Sequence, residues 1–156
     1  MIEIIIPGFK HLRLEHLVID YNGTLALDGS LVPGVKDRLR ELEGNLHVHV
    51  VTADTYGHVR ASVADLKCRL HILAPQAQAE AKRDYIRRLN VDRTACIGNG
   101  RNDRLMIGEA ALGIAVILSE GAFGGSISSA DIVCTSILDA LDLLRHPLRL
   151  TATLRS

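Results

Sequence analysis

The sequence HLVIDYNGT, residues 16–24, carries a β-branched apolar run into an aspartate and then turns at once through a glycine. A short continuous apolar run of this kind is typical of a strand that is buried on both faces of a sheet. Asp20 is therefore expected to present its carboxylate at the end of a central strand, beside the backbone amides of Gly23 and Thr24. Asn22 stands two residues after Asp20, where a second acid would be the natural partner.

Further apolar runs rich in β-branched residues follow, and helical patterns lie between most of them. The predicted strands are HLVID (16–20), HVHVVT (47–52), RLHIL (69–73), TACIG (94–98), GIAVI (113–117) and DIVC (131–134). Strands that alternate with helices predict an α/β fold with a Rossmann-like, doubly wound and mostly parallel sheet. Such sheets bind ligands beyond the carboxyl ends of their strands, so the residues that follow the strands are the candidates for chemistry.

Between the first two of these strands, TLALDGSLVP (residues 24–33) alternates around an Asp-Gly pair. This pattern predicts a tight two-residue hairpin, which would form a small flap over the end of the first strand. No other insertion is long enough to form a further domain, so we expect an open site.

The length and composition favour a single domain that spans residues 1–156. The 18 basic and 18 acidic residues give a formal net charge of zero, and no run of like charge suggests a nucleic-acid partner. The three cysteines are widely spaced, which favours reduced thiols in a cytoplasmic protein. The apolar run in MIEIIIPGFK is too short for a signal peptide or a membrane span, so no membrane partner is expected.

Oxygen ligands for a metal ion are concentrated in IGNGRNDRLMI, residues 97–107. Asp103 offers a carboxylate, Asn99 and Asn102 offer amide oxygens, and the glycines allow a close approach of the backbone. Mg²⁺ prefers oxygen ligands and usually takes one or two carboxylates from a protein. Together with Asp20, this segment predicts a magnesium site beside a carboxylate nucleophile that attacks phosphorus.

Thr52 and Lys82 are the candidate ligands for a phosphoryl group. The Thr52 hydroxyl closes the second strand of the predicted sheet, and Lys82 lies in a helix that precedes the fourth strand, where it could place a point charge over a phosphate. Arg83 and Lys67 remain alternatives for this cation. Asp54 follows Thr52 and is expected to cap the next helix, with a place at the rim of the site as the alternative.

At these residues the chain resembles the haloacid dehalogenase superfamily, whose members form an aspartyl-phosphate in most cases. The superfamily's four motifs are DxDGT, a Thr or Ser after a strand, a lysine and GDGxND, and they correspond in order to DYNGT, Thr52, Lys82 and GNGRND. The resemblance implies a magnesium-dependent phosphatase. Its catalytic residues would be Asp20, Asn22, Thr52 and Lys82, its phosphate ligands Gly23, Thr52, Ala53, Lys82 and Asn102, and its metal ligands Asp20, Asn22, Asn99 and Asp103.

The segments EAALGIAV and SADIVCTSILDAL also resemble the phosphorylation domain of P-type ATPases, a transport branch of the same superfamily. The chain has no predicted membrane helices, so it resembles the soluble, capless P-type-ATPase-like members. Transport is therefore not implied. The resemblance to capless members implies a large substrate that itself covers the open site, or an oligomer in which a neighbouring copy covers it. P-type ATPases have a threonine at the position of Asn22 and keep a longer-lived aspartyl-phosphate.

The chain departs from the superfamily at Asn22 and Asn99, which both replace aspartate. Asn22 has no titratable proton, so hydrolysis should be slowed by roughly the 10²- to 10⁴-fold that general acid-base catalysis supplies. The backbone carbonyl that the superfamily uses to bind Mg²⁺ is unaffected by this change. Asn99 offers one negative charge fewer, so Mg²⁺ should bind more weakly.

Other interpretations of these residues remain. YNGT alone is compatible with an ordinary Asn-Gly turn, and the glycines of EGAFGGS (residues 120–126) favour a turn over a phosphate site. His47 and His49 share one face of a strand but lack a third ligand for a transition metal. The two asparagines favour an alternative function, a catalytically weak module that binds phosphate or another protein. A receiver-like phosphoacceptor is less well supported, because the first strand supplies only one acid.

Overall fold

The computed structural model describes residues 1–53 and 57–156. Its strands are β1 (Ile2–Ile5), β2 (His11–Leu14), β3 (His16–Asp20), β4 (Ala26–Leu27), β5 (Ser30–Leu31), β6 (His47–Thr52), β7 (Arg69–Ile72), β8 (Thr94–Gly98), β9 (Leu112–Val116) and β10 (Ile132–Cys134). Its α-helices are α1 (Val35–Leu42), α2 (Val59–Ser62), α3 (Gln78–Leu89), α4 (Arg104–Glu109), α5 (Gly124–Ser129), α6 (Ile137–Arg145) and α7 (Pro147–Leu154). Asp54, for which a capping role was predicted, lies outside the described residues.

A six-stranded sheet in the order β10-β9-β8-β3-β6-β7 forms the centre of the fold. Every pair of neighbouring strands in this sheet is parallel. The strand order reverses at β3, since the chain passes to β6 and β7 on one side and to β8, β9 and β10 on the other. The predicted α/β, Rossmann-like and doubly wound sheet is confirmed, and Asp20 lies at the carboxyl end of the strand where the order reverses.

Helices cover both faces of this sheet, which explains why its strands are almost continuously apolar. Leu17 and Ile19 of β3 belong to one buried cluster, in which residues of α1, α6 and α7 also take part. Val18 belongs to a second cluster with residues of α3 and α4. All three β3 side chains are fully buried. No helix in the described part of the chain is long and apolar enough to cross a membrane.

The predicted flap hairpin is present as β4 and β5. Its two central residues, Asp28 and Gly29, have φ values of 49° and 81°, as a two-residue turn that follows the twist of the strands requires. The Tyr21 hydroxyl donates a hydrogen bond of 3.0 Å to the Gly29 carbonyl and ties the hairpin to the end of β3. Between β3 and β6 the chain therefore forms this hairpin and α1 and no larger insertion.

The antiparallel hairpin of β1 and β2 was not predicted. Its register pairs Ile2 with Leu14 and Ile4 with Leu12, and Ile4, Leu12 and Leu14 are buried against the main core. Gly8 adopts a φ of 75° in the connecting turn. The alternation of isoleucines before a Pro-Gly pair was the signal that could have identified this hairpin.

A hydrogen bond of the buried His49 side chain links β6 to α3. His49 is completely buried, its Nε2 lies 3.1 Å from Nδ1 of His16, and its Nδ1 lies 2.8 Å from the Tyr85 hydroxyl of α3. Burial, followed by the charges of His16, Arg69 and His47, lowers the pKa of His49 to about 4. His49 is therefore neutral at pH 7 and acts as a hydrogen-bonding residue of the core.

The buried neutral His49 should make the protein less stable in mild acid. Between its usual pKa of about 6.5 and its folded pKa of about 4, the unfolded chain binds a proton that the folded chain excludes. The free energy of unfolding should then fall by up to about 1.4 kcal/mol per pH unit for this one proton. Urea denaturation at successive pH values measures this slope.

His49→Gln should flatten the slope, whereas His58→Gln, at an exposed histidine, should leave it unchanged. An equal slope in wild-type protein and in His49→Gln would show that other groups cause the acid sensitivity.

Candidate active site

The centre of the site is a buried ammonium group held between two carboxylates. Lys82 Nζ donates hydrogen bonds of 2.5 Å to Asp20 Oδ1 and 2.6 Å to Asp103 Oδ1. The Lys82 and Asp103 side chains are completely buried, and the Asp20 side chain is 9% exposed. Residues from the end of β3, from α3 and from the loop after β8 therefore meet at one point.

Of the three candidates for the phosphate-binding cation, Lys82 is the one that the structure places beside Asp20. Lys82 and Ile86 are the buried residues of α3 and lie on the face that packs against the sheet. Arg83 instead pairs with the neighbouring Asp84, and Lys67 is exposed. The assignment of Lys82 to phosphate binding remains a prediction, but it is the cation that the structure places beside Asp20.

One ammonium group cannot neutralise two carboxylates. Burial and the charge of Asp103 raise the pKa of Asp20 to about 7, against the lowering effect of Lys82. Burial alone would lower the pKa of Lys82, but the two carboxylates outweigh that effect and raise it. With both carboxylates ionised, the buried cluster of Asp20, Lys82 and Asp103 carries an excess negative charge, which a bound cation would offset.

A polar cavity of about 330 Å³ opens beyond Asp20. The side chains and backbone that line it come from the ends of several strands: Asp20, Asn22, Thr52, Ala53, Gln78, Asn99, Gly100, Asn102 and Glu120. The cavity therefore brings together most of the predicted phosphate and metal ligands. Whether they bind these groups remains a prediction.

Asp103 lies behind this cavity and organises the loop after β8. Its Oδ2 accepts hydrogen bonds from the backbone N–H groups of Asn99 at 3.0 Å and Gly100 at 2.8 Å. A Cβ at Gly98 would lie 2.5 Å from the Asp103 carboxyl carbon, so glycine is required for this close approach. Both Asp103 oxygens are engaged by the protein, and its predicted role as a direct metal ligand is untested.

The two asparagines that replace acids occupy different positions. Asn22 is exposed at the cavity. Asn99 is buried, its Oδ1 accepts a hydrogen bond of 3.1 Å from the Thr24 hydroxyl, and its Nδ2 donates one of 3.1 Å to the Gly121 carbonyl. Among the described residues, no group of three His, Cys, Asp or Glu side chains is arranged to hold a metal ion. A metal at this site would therefore rely on amide and backbone oxygens as well as on Asp20.

The predicted phosphate ligands differ in whether their donor groups already form hydrogen bonds within the protein. Thr52 lies at the carboxyl end of β6, beside β3, and Ala53 follows it at the cavity wall. Asn102 Nδ2 donates a hydrogen bond of 2.7 Å to Gln78 Oε1. The Gly23 amide donates instead to the Ala26 carbonyl at 2.8 Å, so its contribution to phosphate binding stays a prediction.

Gln78 and Glu120 were not predicted as site residues. Gln78 is the first residue of α3, one turn before Lys82, and this spacing was an available signal. Glu120 lies in the segment after β9, whose glycines suggested an ordinary turn. That segment also follows the carboxyl end of a parallel strand, and this position was the signal that pointed to the site.

Comparison with known proteins places these features in a recognised fold. The cobalt-bound deoxy-D-mannose-octulosonate 8-phosphate phosphatase of Haemophilus influenzae superposes with a TM-score of 0.70 and 17% identity, covering 91% of each chain. The Moraxella catarrhalis 3-deoxy-D-manno-octulosonate 8-phosphate phosphatase, in complex with magnesium, phosphate and its KDO molecule, gives a TM-score of 0.71 at 14% identity, covering 91% of this chain and 94% of the other.

A putative HAD superfamily (subfamily III A) hydrolase of Legionella pneumophila gives a TM-score of 0.66 at 19% identity, with 90% of this chain and 88% of the other covered. The chain has the haloacid dehalogenase (HAD) fold. The fold that the four motifs implied is therefore confirmed.

Sequence relatives carry no further functional information. Uncharacterized protein MJ0073 of Methanocaldococcus jannaschii is 56% identical over 59 residues, which are 38% of this chain and 63% of that protein. Uncharacterized protein MJ0072 of the same organism is 41% identical over 39 residues, 25% of this chain and 89% of that protein. This HAD-fold chain belongs to the same family as MJ0072. No family model matches the chain.

Removing the central ammonium group should strongly destabilise the fold. Lys82→Met would leave the buried carboxylates of Asp20 and Asp103 without a cation between them, a change that costs about 3–5 kcal/mol in comparable buried ion pairs. Urea denaturation of Lys82→Met and of the exposed control Lys67→Met measures the difference. Equal free energies of unfolding for the two variants would contradict a structural role for the ion pair.

Proposed function

We propose that the chain is a magnesium-dependent phosphohydrolase or phosphotransferase of the HAD superfamily, which forms an aspartyl-phosphate on Asp20. The observation that carries this proposal is the Asp20 carboxylate, bonded to buried Lys82 at 2.5 Å and opening into the polar cavity. A carboxylate nucleophile needs its own charge and that of the phosphate offset. The likeness of the fold to solved phosphatases supports the same reaction class.

The donor set at Asp20 fits a hard divalent cation. The Asp20 carboxylate, the Asn22 backbone carbonyl and the Asn99 amide supply oxygen atoms near the cavity, with Asp103 behind them. Mg²⁺ bound there would act as a Lewis acid on the phosphoryl oxygens and offset the excess negative charge. Because Asn99 replaces an acid, we expect Mg²⁺ to bind more weakly than at a site with three carboxylates.

The chain's own residues would bind and orient the phosphoryl group. We assign the hydroxyl of Thr52, the amide of Ala53 and the side chain of Asn102 to its oxygens. The Gly23 amide would join them by exchanging its bond to the Ala26 carbonyl for one to the phosphoryl group. Lys82 would hold the Asp20 carboxylate in place for attack and offset charge as the phosphate approaches. Asn22 offers an amide in place of a carboxyl group, so residue 22 itself can neither protonate the leaving group nor accept a proton from water.

The substrate would be a phosphate ester whose identity the sequence does not reveal. The cavity is open and polar, and no aromatic side chain lines it among the described residues. A stacked base is therefore not favoured. We expect a large substrate or a second copy of the chain to cover the site. We also expect the protein to be cytoplasmic, which its free cysteines support.

An alternative function is a phosphate- or protein-binding module with feeble catalysis. The observations that favour it are the amides of Asn22 and Asn99 at the two positions where the resemblance implies acids. In this alternative the phosphate would bind at the same cavity but would not be turned over.

Asp20→Asn should abolish turnover if Asp20 is the nucleophile. Wild-type protein should hydrolyse p-nitrophenyl phosphate slowly with Mg²⁺ and lose activity in EDTA, and Asp20→Asn should show no activity above the reagent blank. Release of p-nitrophenol, followed by absorbance, measures both. Full activity in Asp20→Asn would rule out the proposed mechanism, while inactivity of both proteins would favour the binding module.

Asn22→Asp should increase turnover, because it restores a carboxyl group that can protonate the leaving group. The expected gain is about 10²- to 10⁴-fold, the usual contribution of general acid-base catalysis. Steady-state rates with p-nitrophenyl phosphate measure the gain, and Asn45→Asp, at a surface asparagine remote from the cavity, is the matched control. An unchanged rate would show that the missing acid at residue 22 does not limit the reaction.

A further inference from the structure

Efficient hydrolysis of an aspartyl-phosphate needs a base that accepts a proton from water. The role of such a base in this chain rests on the proposed function. Asn22 occupies the position where the resemblance places such a group, but an amide cannot accept that proton at neutral pH. Another group of this chain must then accept the proton from the attacking water.

Among the described residues that line the cavity, Glu120 has the ionisable side chain that could accept this proton. Among the described residues that line it, only Asp20 and Glu120 carry ionisable side chains. Asp20 would carry the phosphoryl group as an acyl phosphate at this stage and could not act as the base. Glu120 is exposed, so its carboxylate can exchange protons with bulk water after each turnover.

The position of Glu120 supports this role. Glu120 Oε2 lies 2.7 Å from the point that a Cβ on Gly23 would occupy. Gly23 is the residue directly after Asn22, and its lack of a side chain leaves the space that the carboxylate enters. The carboxylate therefore lies beside the same turn that presents Asn22 to the cavity.

Asn99 holds the Glu120 segment against the site. Its Nδ2 donates to the Gly121 carbonyl at 3.1 Å, and its backbone carbonyl accepts a hydrogen bond of 2.8 Å from the Phe123 N–H. A carboxylate at residue 99 could not donate the first of these bonds. The amide at residue 99 thus positions the turn that carries Glu120, while the amide at residue 22 leaves the base position vacant.

We propose that Glu120 is the general base that hydrolyses the phosphoenzyme. Its carboxylate removes a proton from a water molecule as the water oxygen bonds to phosphorus and the bond between phosphorus and the Asp20 oxygen breaks. The products are inorganic phosphate, the free Asp20 carboxylate and a protonated Glu120, which releases its proton to solvent. Glu120 is therefore a further catalytic residue of this chain.

The lifetime of the phosphoenzyme tests this role separately from its formation. Acetyl phosphate and Mg²⁺ serve as the phosphoryl donor and metal, the donor is removed by gel filtration, and intact-mass spectrometry of acid-quenched samples follows the loss of the phosphoryl group. Glu120→Gln should form the phosphoenzyme at the wild-type rate, and the phosphoenzyme should decay about 100-fold more slowly or slower still. Glu80→Gln, at an exposed glutamate that does not line the cavity, should decay like wild type.

A double variant checks that the slow decay reflects a missing base. Adding Asn22→Asp to Glu120→Gln should restore rapid decay, because the new carboxyl group provides another proton acceptor. If the phosphoenzyme of Glu120→Gln loses its phosphoryl group at the wild-type rate, the inference is overturned. It is also overturned if the only defect of Glu120→Gln is that phosphorylation needs a higher Mg²⁺ concentration. If wild-type protein forms no phosphoenzyme that depends on Asp20, the proposed function fails and this inference fails with it.

Discussion

The ion pair between Lys82 and the carboxylates of Asp20 and Asp103 is the constraint on which the rest of the site depends. It joins the central strand β3, helix α3 and the loop after β8 through hydrogen bonds of 2.5 and 2.6 Å in a buried setting. An unpaired buried charge is so costly that these three segments must keep their relative positions. The cavity takes its shape from this arrangement, and its excess negative charge favours a cation near Asp20.

Sequence patterns predicted the central sheet well because its inner strands β3, β8 and β9 are nearly continuous buried runs that alternate with helices. They also located Asp20, Thr52 and Asn99, since parallel strands bring their carboxyl ends to one edge. The patterns did not reveal how Asp103 is used, because its bonds to Lys82 and to two backbone amides are tertiary contacts. Glu120 was missed for the same reason, as its position depends on a loop that Asn99 anchors.

The asparagines at residues 22 and 99 are best understood together. Considered singly, each removes a negative charge from a position where the resemblance implies an acid. In the structure, the Asn99 amide donates a hydrogen bond to the Glu120 turn, and this turn carries a carboxylate to the space beside Gly23. The second carboxylate at the cavity therefore comes from the segment after β9 and not from the turn that follows Asp20.

The long sequence separation within the ion pair has a consequence for any divided form of the protein. Asp20 and Lys82 are 62 residues apart, and the matches to the two archaeal proteins extend over only 59 and 39 residues. A single matching segment is therefore too short to contain both partners. A polypeptide cut between β6 and α3 would leave Asp20 on one fragment and its lysine on the other, so only reassociated fragments could rebuild the charged centre.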